Sequence, residues 1–179
     1  MTTDEWPVRE SVREYETGWY DGGYDLVEQP DGTTKRYYWA DLAPAVIVVA
    51  IDDEQVVFVE QYRPTTRVES LELPAGIVED GEDYLDAARR ELAEETGLVP
   101  ERVELLQTMD VATGVLRHER GIVVATALTE GTRNLDENEF LSVCRVPKTD
   151  AIAAAREPPA NDATLEGLLL AAQDGYLSE

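Results

Sequence analysis

Residues Gly76 to Leu98 read GIVEDGEDYLDAARRELAEETGL. The run from Asp83 to Thr96 is predicted to be helical. Asp83 suits the N-cap, Asp86 three residues on makes a weak capping-box partner, and Gly97 suits the left-handed position past the last turn. With about 100° between successive residues, Leu85, Ala88 and Leu92 form a stripe facing the core. Glu91, Glu94 and Glu95 fall in a single sector of roughly 100° beside that stripe. Like charges at this spacing repel by roughly a few tenths of a kcal/mol per pair. Two readings are open for the three glutamates: a solvated acidic face, or oxygen ligands for a hard divalent cation, Mg²⁺ or Mn²⁺. The full spacing carries more than the three glutamates alone. Gly76, five residues, Glu82, seven residues, then Arg90-Glu91-Leu92-x-Glu94-Glu95-x-Gly97-Leu98 would arise by chance on the order of 10⁻⁸ per start position.

Outward from this helix, strands dominate. Ala45 to Ile51 is a continuous apolar, mostly β-branched run, expected to be a strand buried on both faces. Asp52-Asp53-Glu54 turns the chain into a second strand, Gln55 to Tyr62, and Glu69 to Leu73 supplies a third. Further strands are expected at Val103–Asp110, Gly121–Leu128 and Phe140–Val146. Thr149 to Arg156 is a helix candidate that stops before Pro158-Pro159. A last helix, Asp162 to Ala172, shows Leu165, Leu168, Leu169 and Ala172 on one face. Before Leu42, aromatic and polar residues alternate from Tyr15, with Gly22-Gly23 and Pro30-Asp31-Gly32 as turn signals, which reads as an antiparallel meander. Strands interleaved with a few helices give an α/β domain with a mixed sheet.

Composition narrows the partners. The 179 residues carry 15 Lys+Arg against 38 Asp+Glu, a formal charge of -23. That excess excludes non-specific attachment to nucleic acid phosphates or an anionic membrane surface as the main role. Among the basic residues only Lys35 and Lys148 are lysines. A carboxylate-rich, lysine-poor surface suits a salt-screened, halophilic cytoplasm. Cys144 is the lone cysteine, which excludes an intramolecular disulfide, a zinc cluster and a redox CxxC pair. The N-terminus has neither the basic nor the apolar region of a secretory signal, and the longest apolar run is about half a bilayer span, so a cytoplasmic protein is expected.

Every fixed position of the Nudix box is present in Gly76–Leu98, and the chain therefore resembles a Nudix hydrolase. Glu60-Gln61-Tyr62-Arg63 followed by Glu72-Leu73-Pro74-Ala75-Gly76 resembles the ADP-ribose pyrophosphatase branch. Thr164 to Ala171 is similar to that branch's C-terminal helix. The resemblance implies an α/β/α sandwich with a mixed sheet over residues 43–179. Residues 1–42 would be a small antiparallel β element that helps to form a homodimer. It implies metal-dependent hydrolysis of a nucleoside diphosphate linked to another group, first of all ADP-ribose to AMP and ribose 5-phosphate. Other nucleotide sugars, dinucleoside polyphosphates or oxidised nucleotides are the alternatives, and a non-catalytic nucleotide sensor is the reading from a different class.

The same resemblance implies roles for individual residues. Glu91, Glu95 and the carbonyl of Ala75 would hold Mg²⁺, with Glu94 in the same shell and Arg90 orienting the carboxylates. Arg63, Arg67 and Glu72 would meet the substrate. Glu82 would serve the metal or simply the helix N-terminus. The proton acceptor is expected in a loop after the box, with Glu119 first and Glu137 or Glu139 as alternatives; neighbouring His118 is expected to be a bystander. Trp19, Tyr20 and Trp39 are candidates to stack an adenine, or to serve packing. In this branch a proline is usual around Val111–Gly114, where this chain reads Asp110-Val111-Ala112-Thr113-Gly114.

Overall fold

Val8–Glu16 (β1), Tyr20–Glu28 (β2) and Thr34–Leu42 (β3) form the expected antiparallel meander, which begins at Val8 and not at Tyr15. The computed structural model describes residues 5–135 and 139–178. They fall into two units, the chain up to Pro44 with Met109–Glu119, and Ala45–Thr108 with the chain from Arg120 onward. In the first unit a short strand, Leu116–Arg117 (β9), adds to β3 in parallel. Gly22 and Gly23 sit inside β2, not at a turn. A Cβ on Gly23 would lie 2.0 Å from the Val12 carbonyl oxygen, so the glycine pair answers to close strand approach beside a register shift in β1. Asp25 ties the sheet together, accepting from Ser11 Oγ at 2.7 Å and Trp39 Nε1 at 3.1 Å and pairing with Arg117 at 2.5 Å. Partial burial alone would raise the pKa of this carboxyl; the three donors outweigh it and hold it below the ordinary value.

The second unit is built on Ala45–Asp52 (β4), the apolar run anticipated as a doubly buried strand. Its sheet runs Leu141–Pro147 (β11), Gln55–Arg63 (β5), β4, Glu119–Glu130 (β10), Leu98–Asp110 (β8). Val68–Glu72 (β6) adds to β5 and Ala75–Ile77 (β7) to β4. β10 is parallel to β4 while β5 is antiparallel to it, so the sheet is mixed. Alternation along β4 divides its side chains between two layers. Val46, Val48 and Ala50 join Ala87, Ala88 and Leu92 of the helix Tyr84–Thr96 (α1) in one core cluster. Ile47 and Val49 face Asp162–Gln173 (α3), where a Cβ on Gly167 would lie 3.3 Å from Val49 and 2.8 Å from Leu73. Lys148–Ala155 (α2) packs against α3 and β11. Each fully buried valine or leucine contributes on the order of 1.5–3 kcal/mol.

Two faces differ from expectation. On α1 the buried set is Ala87, Ala88, Glu91, Leu92 and Glu95, with Leu85 half-buried at the rim. On α3 it is Ala163, Thr164, Gly167, Leu168 and Ala171, while Leu169 is 55% exposed. The small residues let α3 approach the sheet closely, which rotates the helix away from its leucine-rich side. Among the described residues no helix is long and apolar enough to cross a membrane.

Thr164 fixes this approach: its hydroxyl, 1% exposed as a residue, accepts the Leu73 N–H at 3.1 Å, joining α3 to the strand end before Pro74. Thr164→Val should strand that N–H and lower unfolding free energy by about 1–3 kcal/mol in a denaturant titration, whereas Thr164→Ser should recover most of the loss.

Candidate active site

The site grows from α1 and the β6–β7 connection. Asp83 caps the helix, accepting the N–H groups of Leu85 and Asp86 at 2.9 Å each, and Gly97 ends it at φ 76°. The helix then presents Glu91, 8% exposed, and Glu95, 3% exposed, one turn apart beside its apolar stripe. A Cβ on Gly76 would stand 1.9 Å from the Glu91 carboxyl carbon. Only glycine therefore lets β7 lie this close to the carboxylate. Ala75 donates its N–H to Glu95 at 3.2 Å.

Burial raises the pKa of both glutamates. For Glu95, burial and then repulsion from Glu91 outweigh the Ala75 N–H, and its pKa is pushed up to about 8. For Glu91, burial outweighs the hydrogen bond and attraction from Arg90. Arg90 is the local cation. Its Nε and Nη2 grip Glu82 at 2.8 and 2.9 Å, Nη2 also reaches the Ile77 carbonyl at 2.8 Å, and Nη1 reaches Glu91 at 2.8 Å and Glu94 at 3.1 Å. Its five N–H groups meet five acceptors. Glu82 is held below its ordinary pKa, chiefly by the Arg90 hydrogen bonds. It accepts from Arg90 and from the Glu79 N–H at 3.1 Å.

On the neighbouring strands Glu72, 4% exposed, takes Arg63 in a two-point contact, Nε at 3.0 Å and Nη2 at 2.5 Å, and accepts from Gln61 at 3.3 Å. Glu72 thus braces Arg63. Arg67 lies exposed on the β5–β6 turn at φ 63°, with no side-chain partner among the described residues. Glu139 belongs with the site: its charge adds to the repulsion felt by Glu91 and Glu95 and helps to keep Arg63 protonated. Glu137 lies outside the described residues.

Glu119 belongs to the first unit, on a rim it shares with Asp41, Asp110 and His118. His118 Nδ1 lies 2.8 Å from the Ala43 carbonyl and serves that loop. Trp39 is covered by the Arg117 guanidinium 4.1 Å from its ring centre and has its N–H on Asp25, which is a packing role. Tyr20 meets Tyr15 edge-on at 5.9 Å, while Trp19 is 78% exposed. Two contacts went unread in the sequence. Gln61 stands inside a quoted motif, whereas Arg133, in the loop after β10, has no local pattern to mark it.

Among the described residues no three His, Cys, Asp or Glu side chains converge closely enough to hold a metal ion. Arg90 occupies Glu94, leaving the buried Glu91–Glu95 pair. That pair nonetheless fits a hard cation: two oxygen donors are held out of water against their own repulsion, beside a glycine backbone that a Cβ would fill.

The NUDIX domain family matches residues 41–168. The chain belongs to the Nudix family. It is 31% identical over 140 residues, 76% of each chain, to an ADP-ribose pyrophosphatase of Bacillus subtilis. It is also 36% identical over 136 residues, 74% of each, to a methanol dehydrogenase activator of Bacillus methanolicus. A crystal structure titled ADP compounds hydrolase shares the fold, with TM-score 0.88 over 97% of this chain and 95% of that one at 23% identity. The chain is thus a Nudix hydrolase of the ADP-ribose/ADP-compound pyrophosphatase-like branch.

In this Nudix site, among the described residues, Arg90 alone bridges Glu91 and Glu94 to Glu82. Arg90→Met should leave Glu82, Glu91 and Glu94 facing one another and lower stability, by somewhat less than the ~3–5 kcal/mol of a fully buried broken pair because the patch is partly solvated. Thermal unfolding in molar KCl checks it, and an unchanged Tm would refute the bracing role.

Proposed function

We propose that this Nudix hydrolase cleaves the pyrophosphate of ADP-ribose, with water, to AMP and ribose 5-phosphate. Glu91, Glu95 and the Ala75 carbonyl would hold Mg²⁺, with Mn²⁺ as a substitute. When bound, the metal supplies neutralising charge for the pyrophosphate and leaving-group oxygens. The observation that carries the reading is the paired burial of Glu91 and Glu95 against Gly76. The ADP-ribose and ADP-sugar pyrophosphatases among its relatives support the substrate.

The protein's own groups do the rest. Arg90 keeps Glu91 in place through Nη1 and closes the β7–α1 connection on Glu82 and Ile77. Glu94, whose contact with Arg90 is the longest of the five at 3.1 Å, is the box carboxylate most readily released to the reacting groups. Arg63, braced by Glu72 through Nε and Nη2, keeps Nη1 available to a phosphate oxygen. Glu139, two residues before β11 opens opposite Gln61 of β5, would accept the proton of the attacking water, with Glu119 and Glu137 as the alternatives. Arg67 remains a candidate for the outer parts of the substrate. Exposed Trp6, Val8, Tyr15 and Tyr38 suit pairing of two copies through the first unit's sheet, and the surface charge suits a saline cytoplasm.

A panel of ADP-ribose, other nucleotide sugars, dinucleoside polyphosphates and oxidised nucleoside triphosphates, assayed with Mg²⁺ in molar KCl, tests the substrate. ADP-ribose should give the highest kcat/KM, and its complete inertness would sink the assignment. Glu95→Gln should lose about 10³-fold or more in kcat with the fold retained, and Glu139→Gln about 10²–10⁴-fold. EDTA should abolish turnover and tight ADP-ribose binding together. Mass in solution at high salt reads the dimer.

A further inference from the structure

We propose that Arg133 is a positioning residue for this reaction, fixing Glu139 relative to Glu95 by tying the end of α1 to the start of β11. The proposal rests on the assignment of Glu139 as proton acceptor.

An α-helix ends with carbonyls that lack partners inside the helix, and a cation is favoured there. The last turn of α1 has no basic residue of its own. The segment after β10 supplies what is missing. Arg133 Nε donates to the Glu95 carbonyl at 2.6 Å, Asn134 N–H to the Glu94 carbonyl at 3.1 Å, and Gly131 N–H to the Gly97 carbonyl at 2.6 Å. The fit is tight, because a Cβ on Gly97 would lie 3.2 Å from the Arg133 nitrogen. The same guanidinium then donates through Nη2 to the Leu141 carbonyl at 2.7 Å. Leu141 opens β11, paired with Gln61 of β5, and follows Glu139 by two residues.

One planar group therefore binds the backbone of a proposed metal ligand and the backbone just past the proposed base. Its fork fixes both directions at once. In a chain with 38 Asp+Glu, this arginine makes no ion pair among the described residues and is spent on two carbonyls. Helix capping alone would need the first contact only. The second holds the backbone two residues past Glu139. Misplacing a reacting group by about 1 Å can cost on the order of 10²-fold in rate, so a fixed backbone beside Glu139 matters to the chemistry.

A double-mutant cycle tests it. Arg133→Met, Glu139→Gln and the double variant are assayed on ADP-ribose with MgCl₂ in molar KCl. Arg133→Met should lower kcat by about 10–100-fold with KM within about twofold of wild type. In the Glu139→Gln background the same change should cost less than about threefold, because there is no base left to misplace. In the metal-free protein, hydrogen exchange at Phe140 and Ser142 should quicken in Arg133→Met while β4 is unaffected. Full multiplication of the two losses, with Glu139→Gln itself slow, would overturn the role of Arg133 and leave Glu139 standing. A wild-type rate in Glu139→Gln would overturn both. If Arg133→Met fails to fold, Arg133→Lys enters the same cycle, and the same two patterns decide.

Discussion

Two carboxylates held out of water one helical turn apart set the terms for the second unit. Glu91 and Glu95 are buried on the same helix as Ala88 and Leu92, which belong to the core cluster. Burial raises the pKa of each, and at Glu95, where repulsion from Glu91 adds to burial, it is pushed up to about 8. Desolvated like charges are among the costliest arrangements a fold can hold. The surrounding features read as answers to that cost: the Ala75 N–H aimed at Glu95, the absent Cβ at Gly76, and the guanidinium of Arg90.

Arg90 and Arg63 answer it differently. Arg90 is saturated, every N–H placed, and no lysine could reproduce that planar five-point contact. Arg63 is gripped on one side by Glu72 and keeps its Nη1 edge. The first is suited to holding structure and the second to meeting an oxyanion. Arg133 shows a third use, in which a cation pairs with no acidic side chain among the described residues but completes a helix terminus and reaches the first carbonyl of β11.

The box helix, the doubly buried β4 and most strands were legible because each is declared by local periodicity or by a cap within a few residues. The Asp83 cap and Gly97 stop stand where the sequence pattern puts them. What was not legible depends on neighbours. The leucines of α3 suggested one face, but Gly167 and Ala171 allow closer approach to the sheet, and closeness decided the rotation. Gly22-Gly23 looked like a turn because a glycine pair does not say whether it serves a bend or a crowded strand. Within the site, Glu91, Glu95 and Arg90 follow from spacing on one helix. The proposal of Glu139 in place of Glu119 turns on which later segment meets the end of that helix, and no local pattern holds this information. Arg133 is harder still, since its partners are main-chain oxygens, which carry no residue identity.

The charge of -23 bears on the site in a way the total does not show. Around the Glu91–Glu95 pair stand Glu72, Glu82, Glu94 and Glu139, against Arg63 and Arg90 among the described residues. Both arginines are already engaged by carboxylates, one wholly and one in part. A pyrophosphate entering this patch meets more negative charge than the protein's own cations can offset. Salt screens the distant surface but acts weakly on partly buried groups a few ångströms apart. On the proposed reading, favourable binding must therefore come from divalent cations drawn by the same carboxylates that repel the substrate. The acidity that would otherwise exclude a polyanion would then become the means of holding it, and metal and substrate would be coupled by electrostatics before any chemistry begins.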